Sequence, residues 1–156
     1  MKSHTISKSQ TAEIISKISG AWGIDIPRPK NLVIYSISKD AQLVTGDNLR
    51  FLSLQDGYVP FLSDVPLLER FPAVRTDKGA IRFVCNGANV MRPGIVSYDE
   101  FSRGQVVCVA EERNKYLAVG TALVDSAEMA SMEKGNVVKN LHYISDRYWE
   151  AAKAVR

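Results

Sequence analysis

The stretch Asp77-Lys78-Gly79-Ala80-Ile81-Arg82-Phe83-Val84, followed by Asn86-Gly87-Ala88-Asn89-Val90-Met91-Arg92-Pro93-Gly94, decides how this 156-residue chain is read. Asp77 is suited to an N-cap, where its carboxylate accepts from an amide that the first helical turn leaves unpaired. Ile81, Val84, Cys85 and Ala88 recur at i, i+3, i+4 and i+7, which predicts a short helix from Lys78 with one apolar stripe. Lys78 and Arg82, spaced i, i+4, fall with Asn86 on the face away from that stripe. Gly87 can take the left-handed conformation that closes a helix. Asn89-Val90-Met91 then leaves as a strand into a turn at Arg92-Pro93-Gly94.

Downstream, residues 101–104 read as a loop, and 106–110 and 116–124 as two strands joined by the polar turn 111–115. Asp125 with Glu128 has the spacing of a capping box and opens a short helix that stops at Gly135. Val137-Val138 is a further strand, and Asp146 caps a last helical stretch through Trp149. A unit of short strands with small helices, spanning residues 74–149, is expected to close on itself as a small barrel, which removes exposed strand edges.

Upstream, Phe71-Pro72 marks the best boundary. Ser7 and Gln10 fit a capping box; Ala12, Ile15 and Ile18/Ser19 give the helix its apolar face, and Gly20 is the expected stop. Residues ahead of it, His4 included, are expected to be disordered. Pro27 and Pro29 begin an extended segment. Strands are expected at 31–38, 41–45, 49–54 and 58–62, with turns at Gly46-Asp47-Asn48 and Asp56-Gly57. Asp64 caps a short helix with Pro66 in its first turn.

Composition narrows the function classes. A hydrophobic fraction of 46% is that of a globular protein. No apolar run approaches the roughly 18 residues of a membrane span, and Lys2, His4, Lys8 and Gln10 break any signal-peptide core, so a cytoplasmic protein without membrane contact is expected. Cys85 and Cys108 both sit in apolar runs and lack metal-ligand spacing, which predicts buried thiols and no zinc site. Net charge of +3 permits a polyanionic partner without demanding one.

Catalytic patterns are weak. His142 stands near Ser145 and Asp146, but neighbours so close along the chain rarely reach the geometry of a triad. Gly87-Ala88-Asn89 follows a helix instead of opening one, so it is no nucleotide loop. Glu111-Glu112 reads as a solvated hairpin tip. What remains is a surface of Lys78, Arg82, Asn86, Asn89 and Arg92, with Gly79, Gly87 and Gly94 leaving room for a bulky partner. Arg and Lys suit phosphates and Asn suits base edges. The residues alone leave open a solvated helix face with turn glycines.

The ordered set of motifs is more specific. The quoted stretch, then Gly104-Gln105-Val106-Val107, Ala118-Val119-Gly120-Thr121-Ala122, Gly135-Asn136-Val137-Val138-Lys139-Asn140, His142-Tyr143 and Asp146-Arg147-Tyr148-Trp149, resembles a PUA domain, the module of pseudouridine synthases and archaeosine transglycosylases. Tyr58-Val59-Pro60-Phe61, Leu67-Leu68 and Phe71-Pro72 resemble the domain that precedes PUA in the malignant T-cell-amplified sequence family and its archaeal relatives. The resemblance implies an α+β chain: a small mixed domain over residues 1–73, then a PUA-type β pseudobarrel with two short helices over 74–156. It implies binding of structured RNA, tRNA or small-subunit ribosomal RNA, through Lys78, Gly79, Arg82, Asn86, Gly87, Ala88, Asn89, Met91, Arg92, Pro93 and Gly94, flanked by Lys139, Asn140 and His142. It implies a place in translation at the small ribosomal subunit beside a partner with a translation-initiation-type domain, and no cofactor. Two alternatives stand beside this non-catalytic reading: a protein–protein adaptor for a translation factor, and an accessory subunit of an RNA-modifying enzyme.

Overall fold

The computed structural model describes residues 1–155. They form two compact units, Met1–Arg70 with the residues from Ala151 onward, and Phe71–Glu150.

The first unit is an antiparallel sheet in simple order, β1 (Ser3–Thr5), β2 (Val33–Ser38), β3 (Ala41–Gly46), β4 (Leu49–Leu54) and β5 (Gly57–Pro60). Helix α1 (Lys8–Trp22) follows β1, and α2 (Val65–Leu68) follows β5. The Ser7–Gln10 capping box forms, with the Gln10 amide donating to Ser7 Oγ at 3.1 Å. The buried stripe of α1 is Thr11, Ile15, Ile18 and Trp22: Ile15 and Ile18 as expected, with Thr11 in the place of Ala12. A polar residue lies inside because Thr11 Oγ1 accepts the Leu32 amide at 3.0 Å. The helix also runs past Gly20 and stops at Gly23, which takes the left-handed φ of 66°. Trp22 accounts for the extra turn: it is buried, donates to the Tyr58 carbonyl at 2.9 Å and meets Phe51 edge-on. The expected disorder before Ser7 is also corrected, since Ser3–Thr5 pairs with β2 and places His4 opposite Ile34.

The second unit is a six-stranded mixed sheet curled into a nearly closed pseudobarrel. Its strands are β6 (Ala73–Thr76), β7 (Val90–Met91), β8 (Ile95–Tyr98), β9 (Val106–Glu111), β10 (Tyr116–Ala122) and β11 (Asn136–Tyr143), in the order β7-β11-β10-β9-β6-β8. Only β6–β9 is parallel among these pairs. Helices α3 (Lys78–Val84) and α4 (Ser126–Ala130) and a 3-10 turn at Arg92–Gly94 connect these strands, and helix α5 (Arg147–Ala152) follows β11. The core gathers Val74, Val84, Val90, Val107, Val109, Ala118, Met129, Val137 and Val138. Neither β6 nor β8 is read from the sequence; of the four residues in β8, three are exposed, which leaves no alternation to find. Both cysteines are free, and burial alone pushes the Cys108 thiol up to about 12.

Asp125 and Glu128 look like a capping box but do not act as one. Asp125 Oδ1 accepts the Arg103 amide at 2.7 Å, and Glu128 Oε1 meets the Arg103 guanidinium at 3.2 Å, so both carboxylates clamp the preceding loop. Among the described residues no helix is long and apolar enough to cross a membrane.

Of the glycines, Gly120 is the most closely enclosed: a Cβ there would overlap the backbone carbonyl of Lys139. The β10–β11 register slips there: Gly120 faces Asn140 but Val119 faces His142, leaving Leu141 as a bulge residue. Gly120→Ala is expected to lower the unfolding free energy by at least about 2 kcal/mol. Gly20→Ala, in an open helix interior with nothing within 4 Å, should raise it by about 0.5–1 kcal/mol. Urea titrations of the two variants measure both, and a wild-type midpoint for Gly120→Ala would show that the bulge relaxes.

Candidate nucleic-acid interface

Helix α3 is fastened at both ends. At its start Asp77 Oδ1 accepts the Ala80 amide and the Asp77 amide donates to the Gly94 carbonyl, both at 3.0 Å. At its end the Gly87 amide donates to Val84 O and the Ala88 amide to Phe83 O, again at 3.0 Å, with Gly87 at φ 95°. Val84 is buried in the core, with Ile81 and Cys85 partly buried against it. Ala88, the expected fourth member of the stripe, is exposed because the helix has already ended.

The rest of the loop hangs from β11. Asn140 Nδ2 donates to Val84 O and Ala88 O, and its backbone amide donates to Asn89 Oδ1, all at 3.0 Å. Thus Asn140 and one end of Asn89 hold the loop in shape. Two of the three glycines expected to admit a partner, Gly87 and Gly94, are closely approached from within. A Cβ at Gly87 would press on the Tyr143 ring and one at Gly94 on Ala80. Arg92 is half-buried, with Nε on the Met129 carbonyl at 2.9 Å and Nη1 on the Ile95 carbonyl at 3.3 Å. One donor therefore ties the turn to α4 and another ties it to the start of β8.

Lys78, Gly79, Arg82, Asn86, Ala88, Asn89, Met91, Pro93 and Lys139 stand exposed, and Gly87, Gly94 and Asn140 are half-buried. His142 must be removed from the set. It has no exposed surface, and its Nδ1 lies 2.8 Å from Asp146 Oδ2. The bulge explains why: it turns His142 to the face shared with Val119 and Cys108, opposite the face that carries Asn140. Asp146 also accepts the Tyr143 and Trp149 amides, each at 2.8 Å, and so begins α5.

Phe83 belongs to the surface although the sequence reading passes over it. It lies off the Ile81/Val84/Cys85 stripe and is 54% exposed. The Arg82 guanidinium stacks on its ring, 4.9 Å from the centroid. Beside it runs a groove of about 300 Å³ lined by Ala80, Phe83, Val84, Val90, Met91 and Gly94. Met91 is also exposed, at 52%. The helical wheel carries the signal: an aromatic residue next to Arg82 on the polar side has no place in the core.

A mixed six-stranded pseudobarrel with α3 laid beside β7 and the loop between them pinned to β11 defines a PUA-type module. A PUA domain model matches residues 72–144. An uncharacterised protein of Methanocaldococcus jannaschii is 38% identical over 130 residues, 80% of this chain and 78% of its own. Translation machinery-associated protein 20 of Eremothecium gossypii is 31% identical over 152 residues, 91% of this chain and 84% of its own. The crystal structure of a hypothetical protein of Pyrococcus horikoshii superposes with a TM-score of 0.81 at 28% identity, covering 96% of this chain and 99% of that one. The chain belongs to the family of the malignant T-cell-amplified sequence and translation machinery-associated 20 proteins and their archaeal relatives.

The His142–Asp146 pair is a stability element. Asp146→Ala removes the partner of a buried imidazole and the N-cap of α5 together, and is expected to cost about 3–5 kcal/mol. Thermal and urea unfolding measure it; a loss under about 1 kcal/mol would place the weight of α5 elsewhere.

Proposed function

We propose that the PUA-type module binds structured RNA in translation, without catalysis, and that α3 with the groove beside it is the contact surface. The observation that carries this reading is the pairing of charge and aromatic surface on one short helix. Lys78 and Arg82 are exposed, and Phe83 and Met91 border the apolar groove next to them. Single-stranded elements of RNA offer phosphates and unstacked bases, and a base has a flat apolar face that stacks on aromatic side chains. Lys78 and Arg82 engage phosphates; Asn86 and the outward end of Asn89 reach base edges or 2′-hydroxyls; Phe83 and Met91 receive a base. Arg92 acts mainly by holding the turn that carries Met91.

The names of its relatives support the setting: Translation machinery-associated protein 20 is one of them. In this reading the chain works in the cytoplasm, on tRNA or small-subunit ribosomal RNA, beside a partner with a translation-initiation-type domain. Residues 1–73 serve as the domain that precedes PUA, and 74–156 as the RNA-binding domain.

A labelled RNA hairpin with a short single-stranded 3′ tail, compared with the same hairpin blunt, tests the proposal by fluorescence anisotropy. The tailed RNA is expected to bind more tightly. Arg82→Glu should weaken binding about tenfold or more with the fold intact. Phe83→Ala should cost about fivefold or more on the tailed RNA, the value of one lost stacking contact. Wild-type affinity in Arg82→Glu would sink the site assignment.

A further inference from the structure

The other flank of α3 is bordered by a second depression, of about 600 Å³, built from elements distant in sequence. Lys78, Gly79, Ile81 and Arg82 line it from α3, Glu111 from the end of β9 and Arg113 from the β9–β10 turn. That turn is firmly held. The Asn114 amide donates to Glu111 O at 2.8 Å, and the Lys115 amide to Glu111 Oε1 at 3.1 Å. Arg75 Nε donates to Asn114 Oδ1 at 2.9 Å, and Asn114 takes the left-handed φ of 64° that the tight tip requires. Arg113 is therefore an exposed cation on a fastened tip.

Charge favours an anion here. Lys78, Arg82 and Arg113 form no ion pair among the described residues. Glu111, the acid in the lining, already accepts the Lys115 amide. The Lys115 ammonium stands close enough to Cys85, at the end of α3, to work against the burial that raises its thiol, and adds another cation on this side. Against these stands exposed Glu112 on the same turn. Arg82 faces both flanks: it borders the depression while its guanidinium lies over Phe83, the wall of the apolar groove.

We propose that this depression holds a backbone phosphate of the RNA, gripped by Arg113 together with Lys78 and Arg82, on the same strand whose unstacked base lies in the Phe83–Met91 groove. One strand then straddles α3, and the β9–β10 turn, which the sequence reading treats as a solvated tip, becomes part of the binding surface. A guanidinium fork matches phosphate oxygens in bidentate geometry, and three cations border the depression against Glu111 and Glu112. The inference rests on the RNA-binding reading above.

Salt titrations separate the two. Anisotropy with the tailed hairpin is run over a range of salt for the wild type, Arg113→Ala, Arg113→Lys, Arg82→Ala and Phe83→Ala, with melts confirming the fold. Arg103→Ala serves as control, an exposed arginine of the same unit paired with Glu128. Loss of one phosphate contact should weaken binding about threefold or more and reduce the slope of log K against log salt by about 0.7–0.9. Arg113→Ala is expected to show both effects and Arg113→Lys to restore the slope. Phe83→Ala should lose affinity with its slope unchanged, and Arg103→Ala should change neither. Wild-type affinity and slope in Arg113→Ala, with both reduced in Arg82→Ala, would overturn the phosphate site while leaving RNA binding in place. A wild-type protein that binds neither hairpin overturns both.

Discussion

Gly120 has no side chain, and the carbonyl of Lys139 occupies the space where one would stand. This close approach of β10 and β11 sets the slip in their register, and much of the second unit follows from it. Because Leu141 is inserted as a bulge, Asn140 and His142 point to opposite faces of the sheet although they are two residues apart. Asn140 donates to the carbonyls of Val84 and Ala88 and, through its backbone amide, to Asn89 Oδ1, which shapes the loop. His142 turns the other way, onto Asp146, which opens α5. A single missing Cβ thus supports two anchors, one under the candidate interface and one at the last helix.

The same economy governs what a partner can touch. Gly87 and Gly94 look, as residues, like places where a bulky ligand could meet the backbone. Instead Tyr143 and Ala80 fill those spaces, so the glycines serve internal packing. Arg92 and Asn140 likewise spend donors on carbonyls of their own chain. Buried or half-buried carbonyls need such donors, and a polar side chain near a helix end meets that need before it meets any ligand. What α3 presents outward is a narrower set: two cations, an aromatic ring stacked under one of them, and an apolar groove.

Caps were the most legible feature of the sequence, because their chemistry is complete within four residues. Ser7 with Gln10, Asp64 and Asp77 all accept the amides expected of them. Asp125 with Glu128 shows the limit: the local pattern is the same, but Arg103, 22 residues away along the chain, claims the Asp125 carboxylate. Short strands were the least legible. Ser3–Thr5, Ala73–Thr76 and Ile95–Tyr98 hold three or four residues each and exist through pairing with distant partners. The placement of His142 could not be read either, since alternation along β11 assigns it the face of Asn140 until the bulge is known. Phe83 was legible in principle: its phase on α3 sets it outside the stripe.

Strand β6 comes first in the second unit yet lies inside its sheet, between β8 and β9 and parallel to the latter. Its ladder cannot be completed until residues up to Glu111 have been made, and parallel pairing across such a span closes a long loop before any reward is collected. A growing chain must therefore hold Ala73–Thr76 unpaired on the β9 side through the synthesis of α3, β7 and β8. The amide of Cys108 then reaches back to the carbonyl of Pro72, at 2.9 Å, ahead of the strand itself. Pro72 is for this reason a hydrogen-bonded part of the pseudobarrel. A fragment begun at Val74 would lack the residues that seat its own first strand.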